Sequence, residues 1–143
     1  MIGIDSNVLL RYLLQDDPVQ GPIADAFFAG RTKEDPVSVG LIVLVESWWV
    51  MRTKRVPVQR RVEAFEALLS AAEVVVHEAD LVRDALRAVR AGADFADALI
   101  AATYRAHGDD GPVTFDEAAI GHAGMQPVAV RDTRGRSSSH LRA

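Results

Sequence analysis

The sequence contains no cysteine, which excludes disulfides and cysteine-based zinc sites. Any bound metal must therefore be held by carboxylates or by the four histidines, His77, His107, His122 and His140. These histidines are widely spaced and share no metal-ligand spacing, so we assign them no catalytic role. Metal chemistry in this chain would have to use carboxylate oxygens.

Long apolar runs are also missing. The longest, Leu41 to Met51, is interrupted by Glu46 and is too short to span a bilayer. The N-terminus lacks the basic region and apolar stretch of a signal peptide. These absences predict a cytoplasmic protein without a membrane segment.

The composition indicates one globular domain. The chain has 143 residues, of which 49% are hydrophobic and 25% charged. We expect the domain to cover residues 1–130, followed by a polar and flexible C-terminal tail, 131–143. The net charge is −4, but the tail carries a surplus of three positive charges, so residues 1–130 have a net charge of −7. Such an acidic domain would need bound cations or local arginine patches to bind nucleic acid.

Strand and helix patterns alternate along the chain. Short apolar or β-branched runs predict strands near residues 1–5, 36–39, 73–77, 112–115 and 127–130. Helical patterns cover residues 7–14, 17–30, 41–54, 80–91 and 94–107, another helix opens at Pro57, and Ser6 is the expected cap of the first. This order predicts an α/β sandwich with a mainly parallel central sheet flanked by helices, whose ligands bind beyond the carboxyl ends of the strands.

Two acidic residues, Asp5 and Asp116, follow predicted strands directly. Each also has a structural interpretation, because an aspartate at such a position commonly stabilises a helix start or a turn. Glu46 lies within an apolar helix, where an unpaired carboxylate must face a cation, a hydrogen-bond donor or solvent. A partly exposed rim position is the structural alternative for Glu46.

The predicted sixth helix contributes two more acids, Asp94 and Asp97, which share one helix face. Asp94 is well placed to cap that helix. Asp97 has no obvious structural task beyond a favourable interaction with the helix N-terminus. Several carboxylates at close range repel one another unless a cation is bound, so Asp5, Glu46, Asp97 and Asp116 together predict a divalent site.

Oxygen-only ligation selects Mg²⁺, with Mn²⁺ as a substitute. The chemistry that uses such a site is phosphodiester hydrolysis, in which the metal activates water and offsets charge on the phosphate.

Four motifs follow one another along the chain: Ile4 to Leu13, Val45-Glu46 on an apolar helix, Asp94 to Ala101, and Val113 to Asp116. In order and approximate spacing they resemble the motifs of PIN-domain proteins, particularly the VapC-type toxins of bacterial toxin–antitoxin pairs. Ser6 stands where the family commonly has threonine, so the hydroxyl is retained. The resemblance covers about residues 1–130 and implies a PIN-like three-layer sandwich.

The resemblance also implies roles for individual residues. Asp5, Glu46, Asp97 and Asp116 correspond to the catalytic, metal-binding acids, with Asp116 the more variable member. Asp94 corresponds to an accessory acid at the same helix start as Asp97. Asn7 and Thr114 correspond to accessory polar residues that orient the carboxylates or hold water. The family further implies an RNA substrate, products with 5′-phosphate and 3′-hydroxyl ends, a homodimer, and inhibition by a small antitoxin protein.

Other residues allow two interpretations. Arg11, Arg52, Lys54 and Arg55 could contact RNA phosphates or simply form solvated helix faces. Trp48 and Trp49 could stack on bases, but a place in the core or in a dimer interface is the stronger prediction on an apolar helix.

Two other functions remain open. The chain could be a catalytically silent PIN-like module that binds RNA or protein, although retention of all four acids argues against this. A receiver-type phosphoryl-transfer domain also has an acid after its first strand. That alternative fits poorly, because no second acid stands at Ser6 or Asn7 and no lysine follows Lys54.

Overall fold

The computed structural model describes residues 1–129, so the predicted tail, 131–143, lies outside the described residues. Within residues 1–129, seven helices alternate with five short strands. In order they are β1 (Ile2–Gly3), α1 (Ser6–Leu14), α2 (Gln20–Ala29), β2 (Val37–Val39), α3 (Leu41–Thr53), α4 (Val58–Ser70), β3 (Val74–Val76), α5 (Ala79–Arg90), α6 (Phe95–His107), β4 (Val113–Thr114), α7 (Glu117–His122) and β5 (Gln126–Pro127). None of these helices has the length and apolar character needed to cross a membrane.

All strand pairs in the described residues are parallel, which confirms the predicted α/β class. β2 lies between β1 and β3, with Val37 opposite both Ile2 and Val74. β4 pairs with β5 in a separate two-stranded sheet. The predicted central sheet is therefore present in two parts, and the carboxyl end of β1 leads directly to Asp5.

The core is built from the middle strand and the helices around it. Val37 and Val39 of β2 are fully buried, as is Leu9 of α1. An aromatic cluster joins three helices: Trp48 of α3 lies 5.6 Å from Phe65 of α4 and 5.0 Å from Phe95 of α6, measured between ring centroids. This cluster fixes α3 against the start of α6, where two of the candidate acids, Asp94 and Asp97, lie.

Helix starts are the main difference from the sequence prediction. Asp5, and not Ser6, is the N-cap of α1, because its carboxylate accepts a hydrogen bond from the Val8 amide at 3.0 Å. The short helix α7 was not predicted at all. Its N-cap is Asp116, whose Oδ1 accepts from the amides of Ala118 and Ala119. At α6, Asp94 is the N-cap, as the sequence predicted.

Candidate acidic site

Two carboxylates, Asp94 and Asp97, lie at the first turn of α6, and the charge of a third, Asp116, acts on Asp97. The Oδ2 atom of Asp94 accepts a hydrogen bond from the Asp97 amide at 3.3 Å. Partial burial raises the pKa of the Asp97 carboxyl above its ordinary value, and the negative charges of Asp94 and Asp116 raise it further. The loop after β4 therefore brings Asp116 into the electrostatic field of α6, and the three acids form one region of concentrated negative charge.

Two of the candidate acids, Asp5 and Asp116, cap helices through one carboxylate oxygen each, which leaves the second oxygen outside the cap. Asp5 and Asp116 each use Oδ1 to accept amide hydrogen bonds at a helix start. In residues 1–129 neither Oδ2 atom has a hydrogen-bond or ion-pair partner. Thr114 Oγ1 also accepts a hydrogen bond from the Asp116 amide at 3.0 Å, which helps to set the turn that carries Asp116. Each carboxylate is thus oriented by the backbone and still has an oxygen available to a cation.

Glu46 is exposed on α3, a position compatible with both of its interpretations. It lines a cavity of about 430 Å³ between α3 and the start of α6, together with Trp49, Arg52 and Asp94. Arg52 reaches Asp94 at 3.7 Å, which is an ion pair but longer than a hydrogen bond. The cavity therefore places Glu46 beside the acidic region of α6.

The structure does not bring all four predicted acids into one metal cage. Within residues 1–129, no group of three acidic or histidine side chains is close enough to hold a metal ion. Asp5 and Asn7 line a different cavity, of about 570 Å³, between β1, α1 and α2. Asp94, Asp97 and Asp116 are related by their electrostatic effect on Asp97. Glu46 and Asp94 line a shared cavity. The place of Asp5 in the same site stays a prediction.

The four predicted phosphate-binding cations differ in their surroundings. Arg11 is engaged by Asp16, Asp17 and Gln20 at the start of α2, and Lys54 pairs with Asp16 at 2.6 Å. Arg52 is more open, with 65% of its side chain exposed. Arg55 is exposed and has a left-handed backbone, with φ of 59°.

Arg61 of α4 was not among the predicted site residues, although it lies close enough to Arg52 for the two positive charges to repel each other. Its guanidinium lies 4.4 Å from the Trp48 ring centroid, so it covers the outer side of the aromatic cluster. The signal that would have found it is the absence of any acidic residue between Glu46 and Glu63, a stretch that contains five basic ones.

The two adjacent tryptophans, Trp48 and Trp49, differ in burial. Trp48 is 4% exposed and belongs to the core, which confirms the structural interpretation for that residue. Trp49 is 64% exposed and borders the cavity that contains Glu46. One of the two rings is therefore available to a partner.

The PIN-domain sequence profile matches residues 2–123. Since this match covers most of the chain, the protein belongs to the PIN-domain family. The motifs at Asp5, Glu46, Asp97 and Asp116 all lie within the matched residues.

Among solved structures, the chain is similar to Mycobacterium tuberculosis VapC20, which is described as a toxin that cleaves the sarcin–ricin loop. The two are 22% identical, with a TM-score of 0.42 over 90% of this chain and 98% of VapC20. Because this TM-score is low, the assignment of the chain to the PIN-domain family rests on the sequence-profile match alone. No protein with a curated description matches the chain.

Proposed function

We propose that this protein is a metal-dependent endoribonuclease that hydrolyses RNA phosphodiester bonds, and that it is the toxin of a toxin–antitoxin pair. The observation that carries the proposal is the grouping of Asp94, Asp97 and Asp116 at positions of the family motifs. Partial burial raises the pKa of the Asp97 carboxyl, and the negative charges of Asp94 and Asp116 raise it further. A fold gains no stability from such repulsion, so the arrangement is best explained by a cation that offsets it.

The residues fit a hard divalent cation in donor type, because every candidate ligand is a carboxylate. We propose that Asp5, Glu46, Asp97 and Asp116 hold Mg²⁺, or Mn²⁺ in its place. When bound, such an ion lowers the pKa of a coordinated water and offsets charge on the phosphate.

The chain's own residues orient this site. The backbone amides at the starts of α1 and α7 hold Asp5 and Asp116 in fixed directions. Thr114 sets the turn before α7, and Asp94 caps the helix that carries Asp97. Asn7 lies beside Asp5 in the same cavity, a position from which it can bind water or orient the carboxylate. The accessory roles proposed for these three polar residues are therefore mainly positional.

The expected reaction can be tested directly on RNA. Purified protein is incubated with total RNA in Mg²⁺ or in EDTA, and the cleaved ends are mapped. We expect cleavage only with the metal, leaving 5′-phosphate and 3′-hydroxyl ends. A catalytically silent PIN-like module would leave the RNA intact under both conditions, and metal-independent cleavage would refute the proposed chemistry.

The toxin role implies an antitoxin protein and action in the cytoplasm, where the RNA substrate is found. An arginine of that partner would suit the acidic region, because a guanidinium donates several hydrogen bonds to carboxylates. Expression of the chain alone should arrest growth, and co-expression of a small protein from a neighbouring gene should rescue it. If growth arrest persists when each neighbouring gene is co-expressed, the toxin–antitoxin role is contradicted, while the nuclease assignment is unaffected.

We also propose a homodimer. Apolar side chains remain exposed on α6, where Ile100 and Tyr104 are 45% and 47% exposed and share one face. Light scattering at micromolar concentration should give twice the mass of the chain, and Tyr104→Glu should shift the mass toward the monomer. A monomeric mass for the unmodified protein would contradict the proposal.

A further inference from the structure

The corner between α3 and α4 is strongly basic. It contains Arg52, Lys54, Arg55, Arg60 and Arg61, with no acidic residue between Glu46 and Glu63. The domain around it is acidic, with a net charge of −7 over residues 1–130. We call these five residues the basic corner. A local basic surface of this kind is the feature by which an acidic protein can still attract a phosphate backbone.

An exposed aromatic ring lies between this corner and the candidate acids. Glu46, Trp49 and Arg52 follow one another at intervals of three along α3, and all line the cavity of about 430 Å³ at the start of α6. Trp49 is 64% exposed, although large aromatic residues usually bury most of their area. Trp48 already fills the core behind it, so packing of the domain leaves Trp49 on the surface.

The positive charges in the corner are not fully neutralised. Burial lowers the pKa of the Arg61 guanidinium, and the nearby charge of Arg52 lowers it further, while Asp94 acts in the opposite direction. The ion pair of Arg52 with Asp94, at 3.7 Å, is too long for a hydrogen bond. Two arginines that repel each other would both be stabilised by an anion placed between or beside them.

We propose that the basic corner and Trp49 form a binding surface for single-stranded RNA, with a base stacked on Trp49 and phosphates contacted by Arg52 and its basic neighbours. This inference rests on the proposed ribonuclease function and adds the direction of the substrate: the strand passes from the basic corner along α3 toward Glu46. Stacking on an aromatic ring tolerates any base, and the arginines supply the attraction for the backbone. Two of the five cations already have an acidic partner, Lys54 with Asp16 and Arg52 with Asp94. A protein partner is the less favoured occupant, because the three others, which have no ion-pair partner within residues 1–129, match a polyanion better than an apolar surface.

Binding can be measured apart from catalysis. A short, fluorescently labelled single-stranded RNA is titrated in EDTA, and anisotropy gives the dissociation constant over a series of salt concentrations. Trp49→Ala should weaken binding about tenfold or more, while Trp49→Phe, which keeps a ring for stacking, should retain most of the affinity. Arg52→Gln should reduce the slope of log affinity against log salt by about 0.7, the value for one contact to a single strand.

Two matched variants serve as controls. Ile42→Ala changes an apolar side chain of the same helix that is 76% exposed and does not line the cavity. Arg83→Gln removes one positive charge from α5, where Arg83 pairs with Asp80. Both should leave the affinity and the salt slope close to those of the unmodified protein. Equal losses from Arg52→Gln and Arg83→Gln would show bulk attraction and overturn the proposed surface.

The outcome separates this inference from the proposed function. RNA binding that depends on Trp49 supports the surface even if no cleavage is seen with Mg²⁺. If unmodified protein cleaves RNA while Trp49→Ala leaves affinity and cleavage unchanged, the ribonuclease assignment stands and this surface is wrong. If Trp49→Ala only converts a dimer into a monomer, with RNA affinity unchanged, the corner is a protein interface and the inference is likewise refuted.

Discussion

Replacing Asp97 with asparagine is expected to reduce RNA cleavage by more than about a hundredfold. Asparagine keeps the shape of the side chain but removes the charge that faces Asp94 and Asp116. Loss of a residue that only supports a metal ligand already costs about 10- to 100-fold in activity or metal affinity, so loss of a ligand should exceed that range. The measurement is kcat/KM on a defined RNA. Near-normal cleavage by folded Asp97→Asn protein would contradict the assignment of Asp97 to the catalytic site.

Asp116→Asn is expected to have a smaller effect on the same measurement. The PIN-domain resemblance makes Asp116 the more variable of the four acids. Its structural task also survives the substitution, since asparagine caps helices about as well as aspartate and can accept the same amide hydrogen bonds from Ala118 and Ala119. A larger loss of kcat/KM from Asp116→Asn than from Asp97→Asn would reverse this ranking.

Melting temperatures measured over a range of pH test whether Asp97→Asn is folded and whether it has lost the repulsion between Asp97 and the charges of Asp94 and Asp116. Because the pKa of Asp97 is raised in the folded protein, the folded state favours the protonated carboxyl. The free energy of unfolding therefore falls as the pH rises from the ordinary aspartate pKa of 3.8 through the raised pKa of the folded state. Without metal, the melting temperature of Asp97→Asn should therefore exceed that of the unmodified protein near neutral pH. The advantage should shrink as pH falls below that range, and Mg²⁺ should raise the melting temperature of the unmodified protein more than that of the variant.

Trp48→Ala is expected to lower the free energy of unfolding by about 3–5 kcal/mol, the usual cost of removing a large aromatic side chain from a core. Such a loss is a large part of the total stability of a domain, about 5–15 kcal/mol. Trp48 packs against Phe65 and Phe95 and also carries Arg61 on its outer side. Urea unfolding followed by circular dichroism would measure the change.

The adjacent tryptophan provides the matched comparison. Trp49→Ala removes the same side chain one position along α3, where it is mostly exposed, and should change the free energy of unfolding by about 0.5 kcal/mol or less. Equal destabilisation by the two substitutions would contradict the placement of the two rings.

Much of the fold could be predicted from local sequence patterns. Helix α3 was expected over residues 41–54 and is Leu41–Thr53, and β3 was expected over residues 73–77 and is Val74–Val76. Agreement is good in these places because periodicity and β-branched runs depend on neighbouring residues alone. The same holds for Asp94, since a cap is determined by the few residues that follow it.

Features that depend on distant residues could not be predicted in this way. The sequence did not show which of Trp48 and Trp49 faces the core, because that is decided by Phe65 and Phe95. Helix α7 was missed, since six residues that include a glycine give too weak a helical pattern. The sequence showed four acids in order, but the influence of Asp116 on Asp97 arises only when the chain after β4 returns to α6.

The separate β4–β5 sheet has a consequence for native-state hydrogen exchange. In residues 1–129 it shares no ladder with β1, β2 and β3, and both of its strands are two residues long. Strands that are this short and largely exposed open locally at a lower free-energy cost than a buried strand, without unfolding of the core. Amide protons of β4 and β5 should therefore exchange before those of β2, and we expect the turn that carries Asp116 to open more readily than the start of α6 that carries Asp97.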